Sequence, residues 1–133
     1  MLRLTTLIIL VFATTTPSLG QTQTLKRKYR GIYEGTIPTY EVRMGQEMIA
    51  VKATNLRVYL DRDSVYFEIG TYRYNSTFQL EKTSASLLIN ADRESSGIPE
   101  QLQLDPKTKT MIRKGLYPQP DATLTRSGKL PRR

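Results

Sequence analysis

Apolar and polar positions alternate along most of this chain. The clearest case is residues 55–70, NLRVYLDRDSVYFEIG. Folded about Arg62 and Asp63, the stretch sets Leu60 opposite Val65, Tyr59 opposite Tyr66, Val58 opposite Phe67, Arg57 opposite Glu68 and Leu56 opposite Ile69. Apolar side chains then share one face, while a tyrosine pair and an Arg–Glu pair share the other. Side chains alternate with period two, so a slip of one residue would mix the two sets. Each such opposed pair contributes roughly 0.2–1 kcal/mol. Asp61, Asp63 and Ser64 supply turn chemistry, because short polar side chains bond nearby backbone. A lone hairpin is marginal in water, so this one must pack on more sheet.

The same alternation predicts further strands. Tyr40, Val42 and Met44 alternate with Glu41 and Arg43, and Ile49, Val51 and Ala53 with Met48, Ala50 and Lys52. Residues 77–82 (TFQLEK), 85–91 (ASLLINA) and 121–126 (DATLTR) add three more, and residues 100–115 read as strand, Asp105-Pro106 turn, strand. Each run is short and bounded by Gly, Pro, Asn or Asp. No amphipathic helix is evident. Residues 92–100 (DRESSGIPE) are the expected place for a helical turn or irregular loop. Short sequential links favour an all-β antiparallel meander of about eight strands closed as a small up-and-down barrel. A two-sheet β-sandwich is the alternative.

The N-terminus breaks the pattern. Residues 4–13 are apolar but too few to span a bilayer, Arg3 precedes them, and Ser18 and Gly20 are small residues before Gln21. Residues 1–20 therefore read as a secretory signal peptide. About 110 residues remain, enough for one domain. The chain has no cysteine, so it is not a lipoprotein and its exported domain holds without disulfides. A periplasmic or extracellular location follows from the leader. Residues 75–77 form an Asn-Ser-Thr sequon, read as a polar turn.

Charge sharpens the division into segments. The formal charge is +8, yet residues 29–126 carry 13 basic against 12 acidic residues. The excess lies in Lys26, Arg27 and Lys28 and in Lys129, Arg132 and Arg133. Residues 21–28 and 127–133 are expected to be disordered basic tails in weak contact with anionic surfaces, flanking a single near-neutral β-domain over 29–126. A neutral core argues against a specific nucleic-acid partner.

Candidate chemistry is sparse. Without histidine or cysteine there is no Ser-His-Asp triad, no thiol chemistry and no His- or Cys-based metal site. Asp61 and Asp63 sit at a hairpin tip, where turn formation explains them better than acid–base catalysis. Glu34 and Glu41 read as surface charge. No enzyme activity, cofactor or metal is expected. The tyrosines are more informative. With the apolar hairpin face inside, Tyr59 and Tyr66 form an exterior patch with Arg57 and Glu68, extended by Tyr72 and Tyr74. With the faces inverted, tyrosines would line an interior around a small ligand. Alternation alone leaves both open. Residues 115–122 (GLYPQPDA) follow an extended path that straps a barrel end or presents Tyr117 to a partner.

Residues 29–42, YRGIYEGTIPTYEV, resemble the opening strand of calycin-type barrels such as lipocalins, where a Gly-x-aromatic pair starts the barrel; Gly31-Ile32-Tyr33 carries the likeness. The tryptophan and disulfide usual in lipocalins are absent here. The resemblance implies barrel architecture and transfers no binding residues. The cleavage region Leu19-Gly20-Gln21 and residues 114–124, KGLYPQPDATL, resemble small exported proteins of Bacteroidota. Two functions remain in view. One is a binding module for a small apolar or amphipathic ligand or an envelope partner. The other is a structural or interaction protein of the envelope, working through its tyrosine face and basic tails.

Overall fold

The computed structural model describes residues 24–91 and 100–131. Among them run ten strands: β1 (Gly31–Ile37), β2 (Tyr40–Met44), β3 (Glu47–Val51), β4 (Thr54–Leu60), β5 (Ser64–Ile69), β6 (Tyr72–Lys82), β7 (Leu87–Ala91), β8 (Glu100–Leu104), β9 (Thr110–Arg113) and β10 (Ala122–Gly128). Strands β1 and β4–β10 close into an eight-stranded antiparallel barrel, and β2–β3 form a separate two-stranded sheet. The small up-and-down barrel is thus the observed fold. The sandwich alternative is not, because β1 pairs on one side with β4 and on the other with β10, leaving the barrel sheet no free edge.

The hairpin of residues 55–70 becomes β4–β5, with all five expected pairs in register. Its apolar face is inside: Leu56, Val58, Leu60, Val65 and Phe67 are buried. Tyr33, Ile89, Leu102, Leu104, Met111 and Leu124 fill the rest of the interior from the other strands. Outward positions carry Glu34, Arg57, Glu68, Gln79, Gln101 and Thr123, none of them buried. An apolar inside and polar outside is the reverse of a barrel that faces lipid. No described helix is long and apolar enough to cross a membrane.

The two barrel ends differ. At one end the chain enters through Leu25, which is 1% exposed and donates its N–H to the Arg62 carbonyl at the β4–β5 tip, 2.9 Å away. A 3-10 turn over Arg27–Tyr29 follows, and the Tyr33 hydroxyl donates to the Tyr29 carbonyl at 2.7 Å. Burial raises the Tyr33 pKa above its ordinary value. This plug corrects the expectation of disorder for residues 24–28. Leu25 and Tyr29 are four apart and both apolar, so together they cap the core, while Lys26, Arg27 and Lys28 stay outside. The C-terminal boundary also moves: Ser127 and Gly128 belong to β10, where Gly128 pairs with Ile32, and Leu130 is half-buried. Residues 1–23, 92–99 and 132–133, including the expected signal peptide and most of the expected irregular loop, lie outside the described residues. Residues 75–77 are strand, not turn, because β6 runs unbroken for 11 residues.

At the other end, β1 and β4 do not join by a tight turn. Pro38 cannot donate to the ladder, and the chain leaves the barrel as the β2–β3 hairpin before returning at Thr54.

Candidate functional site: the open rim of the barrel

Three described elements surround the end opposite the plug: the β9–β10 loop, the β2–β3 hairpin and the β5–β6 turn. Barrel order places them side by side, since β10 neighbours β1, and β4 neighbours β5. All the strongly exposed large apolar side chains among the described residues lie on these elements: Met44, Met48, Ile49, Tyr72, Leu116 and Tyr117. Scattered exposed apolar residues are ordinary, but here they collect at one end of the barrel.

The β9–β10 loop is held from inside the barrel. Arg113 donates through Nε to Glu100 Oε2 at 3.0 Å and through Nη2 to Oε1 at 2.8 Å. Its remaining Nη1 donates to Gln119 Oε1 at 2.7 Å, so the core reaches into the loop. The Gly115 N–H donates to Asp121 Oδ1 at 2.8 Å, and the Gln119 N–H to the Leu116 carbonyl at 2.8 Å. Gly115 also packs so tightly against the backbone of Gln119 and Pro120 that a Cβ there would collide with both. The result is a fixed turn with Tyr117 95% exposed at its tip. Residues 115–122 thus form a closed turn that carries Tyr117 in water while Gln119 reaches back to Arg113 at the barrel end. The turn fixes the backbone that carries this ring, and a tyrosine side chain has only about two torsions of its own.

On the hairpin, Tyr40, Val42, Met44, Ile49 and Val51 share one face with Glu47, and Glu41, Arg43, Met48 and Ala50 share the other. Tyr40 packs against the edge of the barrel core.

The other sequence-derived residues divide. Tyr59 and Tyr66 do face outward together, ring centroids 5.5 Å apart and tilted by 59°. Arg57 donates to the Tyr59 hydroxyl at 3.3 Å, pairs with Glu34 and lies 3.9 Å from Glu68. The Tyr59 hydrogen bond and the Glu34 carboxylate together raise the Arg57 pKa. Leu130 and Pro131 line one cleft, of about 510 Å³, with this tyrosine pair, so the chain's own C-terminal segment lies beside the patch. Tyr72 and Tyr74 do not extend it. Tyr74 pairs with Phe67 and Tyr72 with Ile69, and opposed residues share a face, so both point to the interior side. Tyr74 stacks on Phe67 at 4.8 Å, and Tyr72 sits 5.4 Å from Tyr74 at the mouth, half exposed. The inverted arrangement, with a tyrosine-lined ligand interior, is likewise not observed, because aliphatic and aromatic side chains fill the barrel.

Glu100 and Arg113 escaped the sequence reading. The signal was present: Glu100 is in phase with Leu102 and Leu104, and Arg113 with Met111. Two opposite charges, each on an apolar face of neighbouring strands, point to an internal pair. Among the described residues no group of His, Cys, Asp and Glu could hold a metal ion. Asp61 accepts from the Arg62 N–H at 2.7 Å, which is a turn role. Comparison of the chain with protein-family models, curated proteins and solved structures gives no match.

Proposed function

We propose that this chain is an exported, non-enzymatic interaction module that docks a protein partner through the open rim of a filled β-barrel. The carrying observation is the gathering of the exposed apolar side chains at one end, with Tyr117 fixed at the tip of a braced loop. Export rests on the leader-like residues 1–20. The filled interior turns the binding role outward, away from a ligand inside the barrel. The Tyr59–Tyr66 face is a weaker candidate, since its apolar surroundings are shared with the chain's own Leu130 and Pro131. The test is photo-cross-linking in the source cell, with a benzophenone amino acid at position 117 and, as control, at position 107 in the β8–β9 turn of the plugged end. A discrete adduct from position 117 alone supports the rim; equal labelling from both positions, or none, overturns it.

A second reading is favoured by one cleft at the plugged end. It encloses about 470 Å³ beside Leu25, Tyr29, Leu80 and Leu87, with Lys26 and Lys82 also on its wall. Apolar side chains beside two cations and the hydroxyls of Thr24, Thr83, Ser84 and Ser86, with no carboxylate, suit an anionic amphiphile. Dodecanoate titrated into the processed protein should bind, and Lys26→Glu with Lys82→Glu should abolish binding.

A further inference from the structure

We propose that the partner docked at the rim is a second copy of this chain, joined by antiparallel pairing of β2 with β2 about a twofold axis through Val42. The proposal rests on the reading of the rim as a protein-docking surface and names its occupant.

Among the described residues strand β2 pairs with β3 alone, so its other edge has no described strand beside it. The hairpin turns through Gly45 and Gln46. Gly45 has φ 67°, and Gln46 is not among the positive-φ residues, which is the pattern of a two-residue type II′ turn. In such a hairpin the flanking pair, here Met44 and Glu47, exchanges backbone hydrogen bonds. Alternation then aims the backbone groups of Met44, Val42 and Tyr40 at β3 and those of Glu41 and Arg43 outward. The free edge therefore offers two N–H and two C=O groups, spaced about one symmetric ladder.

The sequence on that edge is complementary to itself. YEVRM run antiparallel against YEVRM sets Val42 opposite Val42, Glu41 opposite Arg43, Arg43 opposite Glu41, and Tyr40 opposite Met44. The Glu41–Arg43 positions are those whose backbone groups point outward, so each charge pair coincides with a hydrogen-bonded pair. Two ion pairs form per twofold, as an isologous interface requires. Within the chain these charges face Ala50 and Met48, and neither makes an ion pair among the described residues. On the opposite face, the Tyr40, Val42, Met44, Ile49 and Val51 side chains of both copies become one mainly apolar surface across four strands, with the Glu47 of each copy at its margin. Methionine against tyrosine is itself a favourable contact. The edge of β3 lacks this property: centred on Ile49, it sets Glu47 against Val51 and Met48 against Ala50.

Sedimentation velocity of residues 21–133 across the micromolar range tests the pairing. The native chain should show a monomer–dimer equilibrium. Arg43→Glu sets carboxylate against Glu41 twice per dimer and should weaken association by at least about tenfold, as should Glu41→Arg. The double exchange, Glu41→Arg with Arg43→Glu, should restore it, which a merely disruptive substitution would not. Both side chains are exposed, so folding is not at stake. A monomer at every concentration overturns the proposal, and so does a dimer insensitive to both single exchanges. A monomeric chain that still cross-links from position 117 to a different protein overturns the second copy and leaves the rim standing; a monomer with no such adduct overturns both.

Discussion

Arg113 grips Glu100 with two nitrogens, at 2.8 and 3.0 Å, where both side chains are about 5% exposed. The pair lies 13 residues apart in the chain, on the adjacent strands β8 and β9. It lies where the apolar barrel interior meets the rim. Its third contact, to Gln119, makes the core and the Tyr117 loop one unit.

Removing one member of this pair should be expensive. Glu100→Ala leaves a buried guanidinium uncompensated, a change that typically costs about 3–5 kcal/mol. Urea unfolding should show the midpoint fall accordingly. Glu100→Leu with Arg113→Met removes both charges and should recover most of the loss, while leaving Gln119 without its partner. Faster amide exchange at Leu116, Tyr117 and Gln119 in an otherwise stable barrel is the expected signature.

Leu25 offers a cleaner core test. It is buried by a segment whose composition reads as a tail, and Leu→Ala at a fully buried site costs about 2–5 kcal/mol. If the segment were loosely attached, Leu25→Ala would leave the urea midpoint unchanged. Lys26→Ala, on an exposed neighbour, serves as the matched control.

How much was legible follows from where each signal resides. The β4–β5 register was readable because Leu56, Val58, Leu60, Val65, Phe67 and their partners repeat with period two, and only one pairing keeps them on one face. Closure into a barrel was readable from short links. The position of Tyr74 was not, because it depends on the β5–β6 register across Gly70 and Thr71, where no patterned run constrains the offset. Leu25 was hidden by its neighbours: three consecutive cations dominate any composition window, though burial is decided by one side chain. The Glu100–Arg113 pair was hidden because charged residues are by default assigned to the surface. The rim itself is a property of topology. Met48, Tyr72 and Tyr117 are remote in sequence and share an end only once strand directions are known.

The β8–β9 turn gives a pH prediction. The Lys107 N–H donates to Asp105 Oδ1 at 2.9 Å, and this bond holds the Asp105 carboxyl below its ordinary value. A depressed folded value means that the ionised form stabilises the native state. That contribution is complete above the unfolded carboxylate pKa and is lost as pH falls through the folded one. Asp105→Asn keeps an oxygen for the Lys107 N–H but cannot titrate. Its stability should therefore fall less steeply between neutral and acid pH than that of the native chain, as read by urea midpoints. A carboxyl titration by NMR should place Asp105 below the ordinary aspartate value. Parallel stability profiles for the two chains would contradict the assignment.

Gly115 separates display from folding. Its backbone approaches the Gln119 and Pro120 carbonyls too closely for any side chain, so Gly115→Ala must open the loop or shift it. The barrel strands lie below this point and keep their core, so the stability loss should stay within the range of overpacking, about 1–3 kcal/mol. The loop contacts should suffer more: the Gly115–Asp121 and Gln119–Leu116 bonds depend on the turn closing. Amide exchange at Gln119 should accelerate well beyond that of the β9 and β10 amides. Cross-linking from position 117 should fall with it, because an anchor that moves loses the advantage of being preorganised. Conversely, Tyr117→Ala should leave the urea midpoint and loop exchange unchanged, since its ring is almost wholly in water, and should still abolish partner capture. A Tyr117→Ala chain that docks as well as the native one would remove Tyr117 from the interface, and with it the reason to brace this loop.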